Sequence, residues 1–429
     1  MKNSDLFLIW TYINIIIKII LNYLKKNMNK IYKNDFPIFN NNNKLVYLDS
    51  TATSQKPKIV IEWIKDYLEN SYSNIYRWLY SISERSEELY KKSKKKVLEN
   101  IWANSIKEII YTYNSTYALN LLASSLRISD KLKKWDKILL TITEHNANLI
   151  PWLILEEEIW IEIEYVNLDG DYNLDLEDFR KKYDKRVKII SFTHVSNVTG
   201  QIFDLEEIWK RKREDTIFIV DASQSIPHFK IDINKLNCDY LFFTWHKVFA
   251  DTWIWILWWK EKLLKELKPS FSWWGAIWKV GDDGFSYAKI PEKFEPGTPN
   301  ITWAVSLLKA FEYIENIWWY KVLEKYEYNL VEYFLEKIKK YRNIKLIWSK
   351  KNINRIWVFS IVINWIHSND IADILAEKNI AVRSWKHCAH RFFWKLWLVH
   401  SFRVSLYIYN TKKDIDIFFD NLNLIIENY

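Results

Sequence analysis

Residues 217–247, IFIVDASQSIPHFKIDINKLNCDYLFFTWHK, hold two short apolar runs that each end on a polar residue. Ile217–Val220 runs into Asp221, and Tyr240–Phe243 runs into Thr244, Trp245, His246 and Lys247. Short runs rich in β-branched and aromatic residues read as buried strands. Lys247 lies 26 positions after Asp221, which leaves room for one helix between two neighbouring strands. In open α/β sheets ligands bind at the carboxyl ends of the strands. Asp221 and Lys247 are therefore predicted to face one crevice.

The pattern extends in both directions. Lys44–Leu48 is strand-like and ends at Asp49, Ser50 and Thr51. Ile109–Tyr111 leads into Asn114, Ser115 and Thr116, with helix predicted from 117. Lys137–Ile142 ends at Glu144 and His145, and Val187–Phe192 ends at His194–Asn197. Residues 57–70 and 84–101 have helical spacing. Strand alternating with helix predicts an α/β fold around a mostly parallel sheet. A helical stretch over 303–341 then leads to an α+β segment over 344–429. The predicted division is a large domain over 45–302 and a smaller C-terminal domain over 303–429. Residues 28–44 are expected to pack on the small domain. Residues 1–27 contain an apolar run, Leu6–Leu24, interrupted by Asn14, Lys18 and Asn22. Met28 opens an ordinary soluble start, so 1–27 reads as an upstream extension. A membrane anchor or an exported precursor are the rival readings.

At 429 residues the chain exceeds one typical core, and 49% hydrophobic with 27% charged residues describes a globular protein. The net charge of +9 is scattered, with no basic-aromatic stripe to form a nucleic-acid groove. Two cysteines, Cys238 and Cys388, make no disulfide framework and fit a reducing cytoplasm. Trp and Gly are out of proportion, at 25 and 6. Counted together they match the ~7% that glycine alone ordinarily takes. Trp245, Trp253, Trp255, Trp273 and Trp274 also fall in glycine-like contexts. The expectation is a gene in which UGA encodes glycine, written here as Trp. A non-catalytic Trp-rich binding protein is the remote alternative.

Lys247, beside a compact turn, can form a Schiff base with an aldehyde cofactor, or be a solvated surface lysine. Asp221 at the end of an apolar strand needs a cation, such as the pyridinium of pyridoxal phosphate, or else caps a helix. Ser115 and Thr116 at a strand-to-helix turn suit a phosphate or an ordinary cap. Cys388 sits in Arg383-Ser384-Trp385-Lys386-His387-Cys388-Ala389-His390. Its basic neighbours, with Arg391, favour a nucleophilic thiolate. The spacing of His387, Cys388 and His390 matches no common zinc pattern, and no metal is expected. Cys238 reads as inert core.

Taken together, YLDSTATSQKP (47–57), NIYRW (74–78), EHNANLIPW (144–152), HVSNVTGQ (194–201), VDASQS (220–225), TWHK (244–247), FEPGTPN (294–300), AVRSWKHCA (381–389) and FRVSLYIYNT (402–411) resemble the cysteine desulfurases of pyridoxal-phosphate fold type I, class V, and most closely the SUF-type, group II branch. The resemblance runs from about residue 29 to 429. It implies a seven-stranded, mostly parallel sheet between helices, plus the small α+β domain. It implies conversion of L-cysteine to L-alanine through a ketimine of pyridoxal 5'-phosphate and a persulfide on Cys388, supplying iron-sulfur cluster assembly. A selenocysteine lyase or another class V enzyme is the alternative. By matching position, Lys247 would be the Schiff-base lysine and Asp221 the pyridinium partner. His145 would stack on the ring and assist proton transfer. Asn197 and Gln224 would contact its phenolic oxygen. Ser115, Thr116, Thr244 and His246 would hold the phosphate. Thr298 would reach the phosphate of a neighbouring subunit, which implies a homodimer. Arg403, with Arg383 and Asn197, would bind the substrate. A sulfur-acceptor protein of the SUF system would be the partner. The family has glycine at positions 78, 245, 253, 255, 273, 274 and 385, whereas Trp152 and Trp258 fall where it accepts Trp. Tyr76 and Lys386 stand where the family usually has His, Tyr117 where it has Glu, and Ala250-Asp251 where it has Gly-Pro.

Overall fold

The computed structural model describes Trp10 and residues 32–76, 79–252, 255–272, 275–317, 319–348 and 351–429. Most of the extension 1–27 and positions 78, 253, 273 and 274 lie outside these. Seven strands form the central sheet: β2 (Ile109–Thr112), β3 (Lys137–Thr141), β4 (Glu162–Val166), β5 (Val187–Thr193), β6 (Ile217–Asp221), β7 (Tyr240–Thr244) and β8 (Trp255–Trp259), in the order β2-β8-β7-β6-β5-β3-β4. β7, β6, β5, β3 and β4 run parallel, while β8 is antiparallel to both β7 and β2. Successive strand residues face opposite ways, and both faces are covered. Leu139, Val220, Leu241 and Phe243 enter one core; Ile138, Ile219, Phe242 and Leu257 enter the other. That two-sided burial is why these strands read as continuous apolar runs.

The short strand β1 (Val46–Tyr47) pairs in parallel with Ile380–Ala381 of the C-terminal segment rather than joining the central sheet. The stretch 303–341, read as one helical run, is two helices, Ile301–Asn316 and Trp319–Ile338. The first packs on helices Lys58–Asn70 and Ser81–Ile101. Packing therefore groups it with the large lobe, beyond the division read at 302. The C-terminal part holds an antiparallel sheet of Lys345–Leu346, Val358–Val362, Ser401–Ser405 and Arg383–Trp385. Phe334 stacks on Phe359 at 3.8 Å behind it, and Phe418 follows. A capping box, Thr411 with Asp414, opens the last helix, Lys412–Asn428. Asp414 also binds Lys33 at 2.7 Å, tying the N-terminal segment to this end of the chain.

Glu295 anchors the loop that precedes helix Ile301–Asn316. Its carboxylate accepts from Lys94 Nζ and the Tyr111 backbone N–H, both at 2.7 Å, and from Tyr90 Oη at 3.1 Å. The Lys94 and Glu295 side chains are 7% and 6% exposed, so each depends on the other's charge.

Among the described residues six tryptophans have left-handed backbone: Trp102 (φ 59°), Trp135 (70°), Trp160 (62°), Trp348 (112°), Trp385 (92°) and Trp397 (55°). Bulky residues are strongly disfavoured there. Trp397 follows the helix His390–Lys395 and is 88% exposed.

Glu295→Ala is expected to destabilise the fold by about 3–5 kcal/mol in denaturant unfolding, because it strands the Lys94 charge. Trp397→Gly is expected to stabilise it by about 1 kcal/mol, since it removes left-handed strain and little packing. A destabilised Trp397→Gly protein would contradict that strain.

Candidate active site

The carboxyl ends of β3, β5, β6 and β7 converge on one pocket. Its wall includes Ser115, Thr116, His145, Asn197, Asp221, Gln224, Thr244, His246, Lys247, Arg383 and Arg403. Every pocket residue named from the sequence is there except Cys388 and Thr298. Cys388 lies close by: its Sγ accepts from Arg383 Nη2 at 3.3 Å, and its carbonyl accepts from the Asn146 N–H at 2.7 Å. Thr298 is exposed, outside its own chain's pocket. Cys238 is fully buried, and its thiol is pushed up to about 12, first by burial and then by Asp239.

Adjacent register puts the two central groups side by side. β6 and β7 pair at Asp221 and Phe242, and Lys247 lies three residues after β7 ends. The Asp221 carboxylate accepts the Ser223 N–H at 2.8 Å. Burial raises its pKa, against the hydrogen bonds from Ser223 and the charge of Lys247. Burial lowers the Lys247 ammonium to about 8; Asp221 opposes that, and Arg403 and Arg383 add to it. The turn before Lys247 is pinned by the His246 carbonyl, which accepts from Ser54 N–H at 2.9 Å, from the Ser54 and Thr53 hydroxyls at 3.0 Å, and from Lys56 at 3.2 Å. His145 falls to about 3 through burial and then the nearby Lys247, Arg383 and Arg403, so its imidazole is neutral at physiological pH.

The pocket's other wall comes from the C-terminal sheet. Arg383 and Arg403 sit directly opposite each other on neighbouring strands. Like charges so placed repel, which suits the pair to an anion. Arg403 Nη2 donates to Asp49 at 2.9 Å, with its side chain 1% exposed, and Nη1 donates to the Asn197 carbonyl at 3.1 Å. Asn197 Nδ2 donates to the His387 carbonyl at 2.7 Å, joining the large lobe to the Cys388 loop.

Three residues here carried no role in the sequence reading. Asp49 neutralises Arg403, and His387 lines the pocket with its Nε2 2.8 Å from Ser401 Oγ. Glu144 is buried, and its carboxylate accepts from Thr141 Oγ1 at 2.6 Å, Thr193 N–H at 2.9 Å and Asn148 at 2.7 Å. Burial pushes its pKa up to about 8, against those bonds. Asp49 and Glu144 both lie at the ends of apolar runs, the signal that singled out His145 and Asp221.

The pocket fits pyridoxal phosphate on its own geometry. The Ser115 and Thr244 hydroxyls are buried with no hydrogen-bond partner. Ser115 opens helix Ser115–Ile128, whose first backbone N–H groups suit an anion. Buried donors there, a buried carboxylate at Asp221 and the Lys247 amine on the same pocket wall match the phosphate, pyridinium and aldehyde of that cofactor.

The aminotransferase class-V family model matches residues 46–418. A probable cysteine desulfurase from Synechocystis is 35% identical over 92% of this chain and 94% of its own length. A cysteine desulfurase from Wigglesworthia glossinidia brevipalpis is 34% identical over 92% of this chain and 96% of its own. The solved cysteine desulfurase of Thermococcus onnurineus superposes with a TM-score of 0.86 at 33% identity, over 93% of this chain and 98% of that one. The Escherichia coli cysteine desulfurase CsdA gives 0.84 at 26% identity, over 92% and 98%. Matched through nearly all of its described length, the chain belongs to the class-V aminotransferase family, in the branch of the cysteine desulfurases.

Proposed function

We propose that this chain is a pyridoxal-phosphate-dependent cysteine desulfurase in which Cys388 takes the sulfur of L-cysteine and alanine leaves. The single observation that carries the assignment of Cys388 is its place: a half-buried thiol held by Arg383, itself part of the wall of the Asp221–Lys247 pocket. When bound, the cofactor supplies an electron sink at the substrate's α-carbon. The Lys247 amine anchors the cofactor and then moves protons at that carbon, a task suited to an amine titrating near neutrality. Asp221 holds the ring nitrogen protonated, and the neutral His145 imidazole covers the ring. Ser115, Thr116, Thr244 and His246 hold the phosphate, and Asn197 and Gln224 the phenolic oxygen. Arg403 and Arg383 clamp the substrate carboxylate, with Asn197 beside them. In the transfer the substrate's C–S bond breaks, an S–S bond to Cys388 forms, and the carbon skeleton takes up the proton that completes alanine. No outside oxidant is needed: the C–S bonding pair stays with the β-carbon, which is reduced to the methyl group of alanine as the sulfur passes from thiol to sulfane level on Cys388.

A homodimer is part of the same reading. Thr298 lies outside its own chain's pocket and is free to complete a neighbour's phosphate site. The hairpin of β9 (Ile277–Gly281) and β10 (Gly284–Tyr287) exposes Val280 and Phe285 at 76% and 59%, an apolar surface for a second copy. A sulfur-acceptor protein would draw the persulfide from the half-exposed Cys388, in support of iron-sulfur cluster assembly.

Cys388→Ala should lower alanine release from L-cysteine by at least ~10²-fold while the bound cofactor's visible absorbance persists. Cys238→Ala should leave both unchanged. Undiminished alanine release by Cys388→Ala would overturn the assignment. The rate at which the cofactor-free protein captures pyridoxal phosphate should rise with pH through about 8, the Lys247 value, and then level off. The amine's pKa is depressed, so its reactive neutral form is lost as pH falls below that value. Lys247→Ala should abolish the borohydride-reducible link.

A further inference from the structure

We infer that Trp102, Trp135, Trp160, Trp245, Trp259, Trp348, Trp357, Trp385 and Trp397 are glycine in the protein the cell makes, because UGA encodes glycine in its gene. Composition raises the idea; two independent structural features select these positions.

The first is backbone conformation. Trp is 25 of 429 residues, yet among the described residues it supplies six of the fifteen non-glycine positions with positive φ. Their local hydrogen bonds are those of glycine motifs. Asp136 N–H bonds to the Lys133 carbonyl at 3.0 Å, with Trp135 third in the turn at φ 70°. That is the place where a type II turn requires glycine. Helix Ser81–Ile101 ends with Trp102 left-handed and the Ala103 N–H bonded back to the Leu98 carbonyl at 3.0 Å. Trp397 repeats the arrangement: Leu398 N–H reaches Phe393 O at 2.9 Å, and Trp397 N–H reaches Trp394 O at 3.1 Å. Both are Schellman ends, whose left-handed residue is usually glycine. Trp160 closes helix Ile150–Ile159 with the simpler single bond, to the Glu156 carbonyl. Trp348 and Trp385, at 112° and 92°, lie outside even the left-handed helical well.

The second feature is the indole N–H. A buried Trp normally finds an acceptor for it. Those of Trp245, Trp259, Trp348 and Trp357 are buried with none. The contrast lies within the same chain. Trp63 donates to the Val305 carbonyl at 3.1 Å, Trp152 to Asn148 Oδ1 at 3.2 Å, and Trp258 to Glu108 Oε2 at 3.2 Å. None of these three has positive φ. They behave as genuine tryptophans, while Trp348 fails on both counts.

Two of the nine bear on the reaction. Trp245 immediately precedes the His246–Lys247 turn and is wedged between Phe243 and Phe311, ring centroids 5.1 and 4.6 Å away. Trp385 opens the Cys388 loop, in which His387 and Cys388 are left-handed as well, at 50° and 57°. Glycine at 385 relieves the backbone at that position and removes an indole from the surface three residues before the sulfur.

The gene and the protein test this together. The codons at the nine positions are expected to be UGA, and those at 63, 152 and 258 UGG. Peptides of the protein purified from its own organism are expected to be lighter at each of the nine by the mass that separates an indolylmethyl group from hydrogen, with Trp retained at 63, 152 and 258. UGG codons at the nine, or native peptides that carry Trp there, would overturn the inference. Neither result depends on the enzymatic activity, so the two proposals stand or fall separately.

Discussion

The site depends on two parallel strands ending side by side. β6 and β7 set the buried Asp221 carboxylate near Lys247, and neither charge is comfortable alone. Burial raises one pKa and lowers the other, and each partly restores its neighbour. A cationic ring between them would relieve the carboxylate, and an aldehyde would consume the amine. The burial that shifts both groups thus suits a cofactor that offers a cation to one and a carbonyl to the other.

The second constraint joins the lobes. Arg403 comes from the C-terminal sheet, yet its guanidinium is held by Asp49 and the Asn197 carbonyl from the other side. Asn197 in turn holds the backbone of the Cys388 loop at His387. The residues that would clamp the substrate carboxylate and the thiol that would take its sulfur are thus positioned by one hydrogen-bonded chain. A slip between the lobes would disturb both. Strand pairing brings Arg383 opposite Arg403, a pair of like charges suited to an anion.

The tryptophans divide along similar physical lines. Trp152, Trp258 and Trp63 bury an amphipathic ring with its N–H satisfied. Trp385 and Trp348 occupy backbone that a side chain resists, and Trp245 buries an N–H with no acceptor. Composition alone marks an excess without saying which residues make it up. Position 245 resists classification by φ and is identified by its orphaned indole.

The sequence by itself determined the strand ends. Apolar runs broken by Asp221, His145 and Lys247 are local patterns, and the rule that ligands gather at carboxyl ends turns them into one site. The basic neighbours of Cys388 marked it as a nucleophile, and the family motifs supplied its sulfur-acceptor role and Arg403, by short matching segments. Tertiary structure alone decided what depends on distant partners. β8 runs antiparallel, β1 pairs with Ile380–Ala381 instead of the central sheet, and helix Ile301–Asn316 sides with the large lobe. Asp49 and Glu144 show strand-end character in the sequence, but their work is set by Arg403, 354 positions away, and by Thr193, 49 away. Periodicity reports which face a residue presents. Only the closed fold reports which charge or donor it meets there, because that partner is chosen by packing across the whole chain.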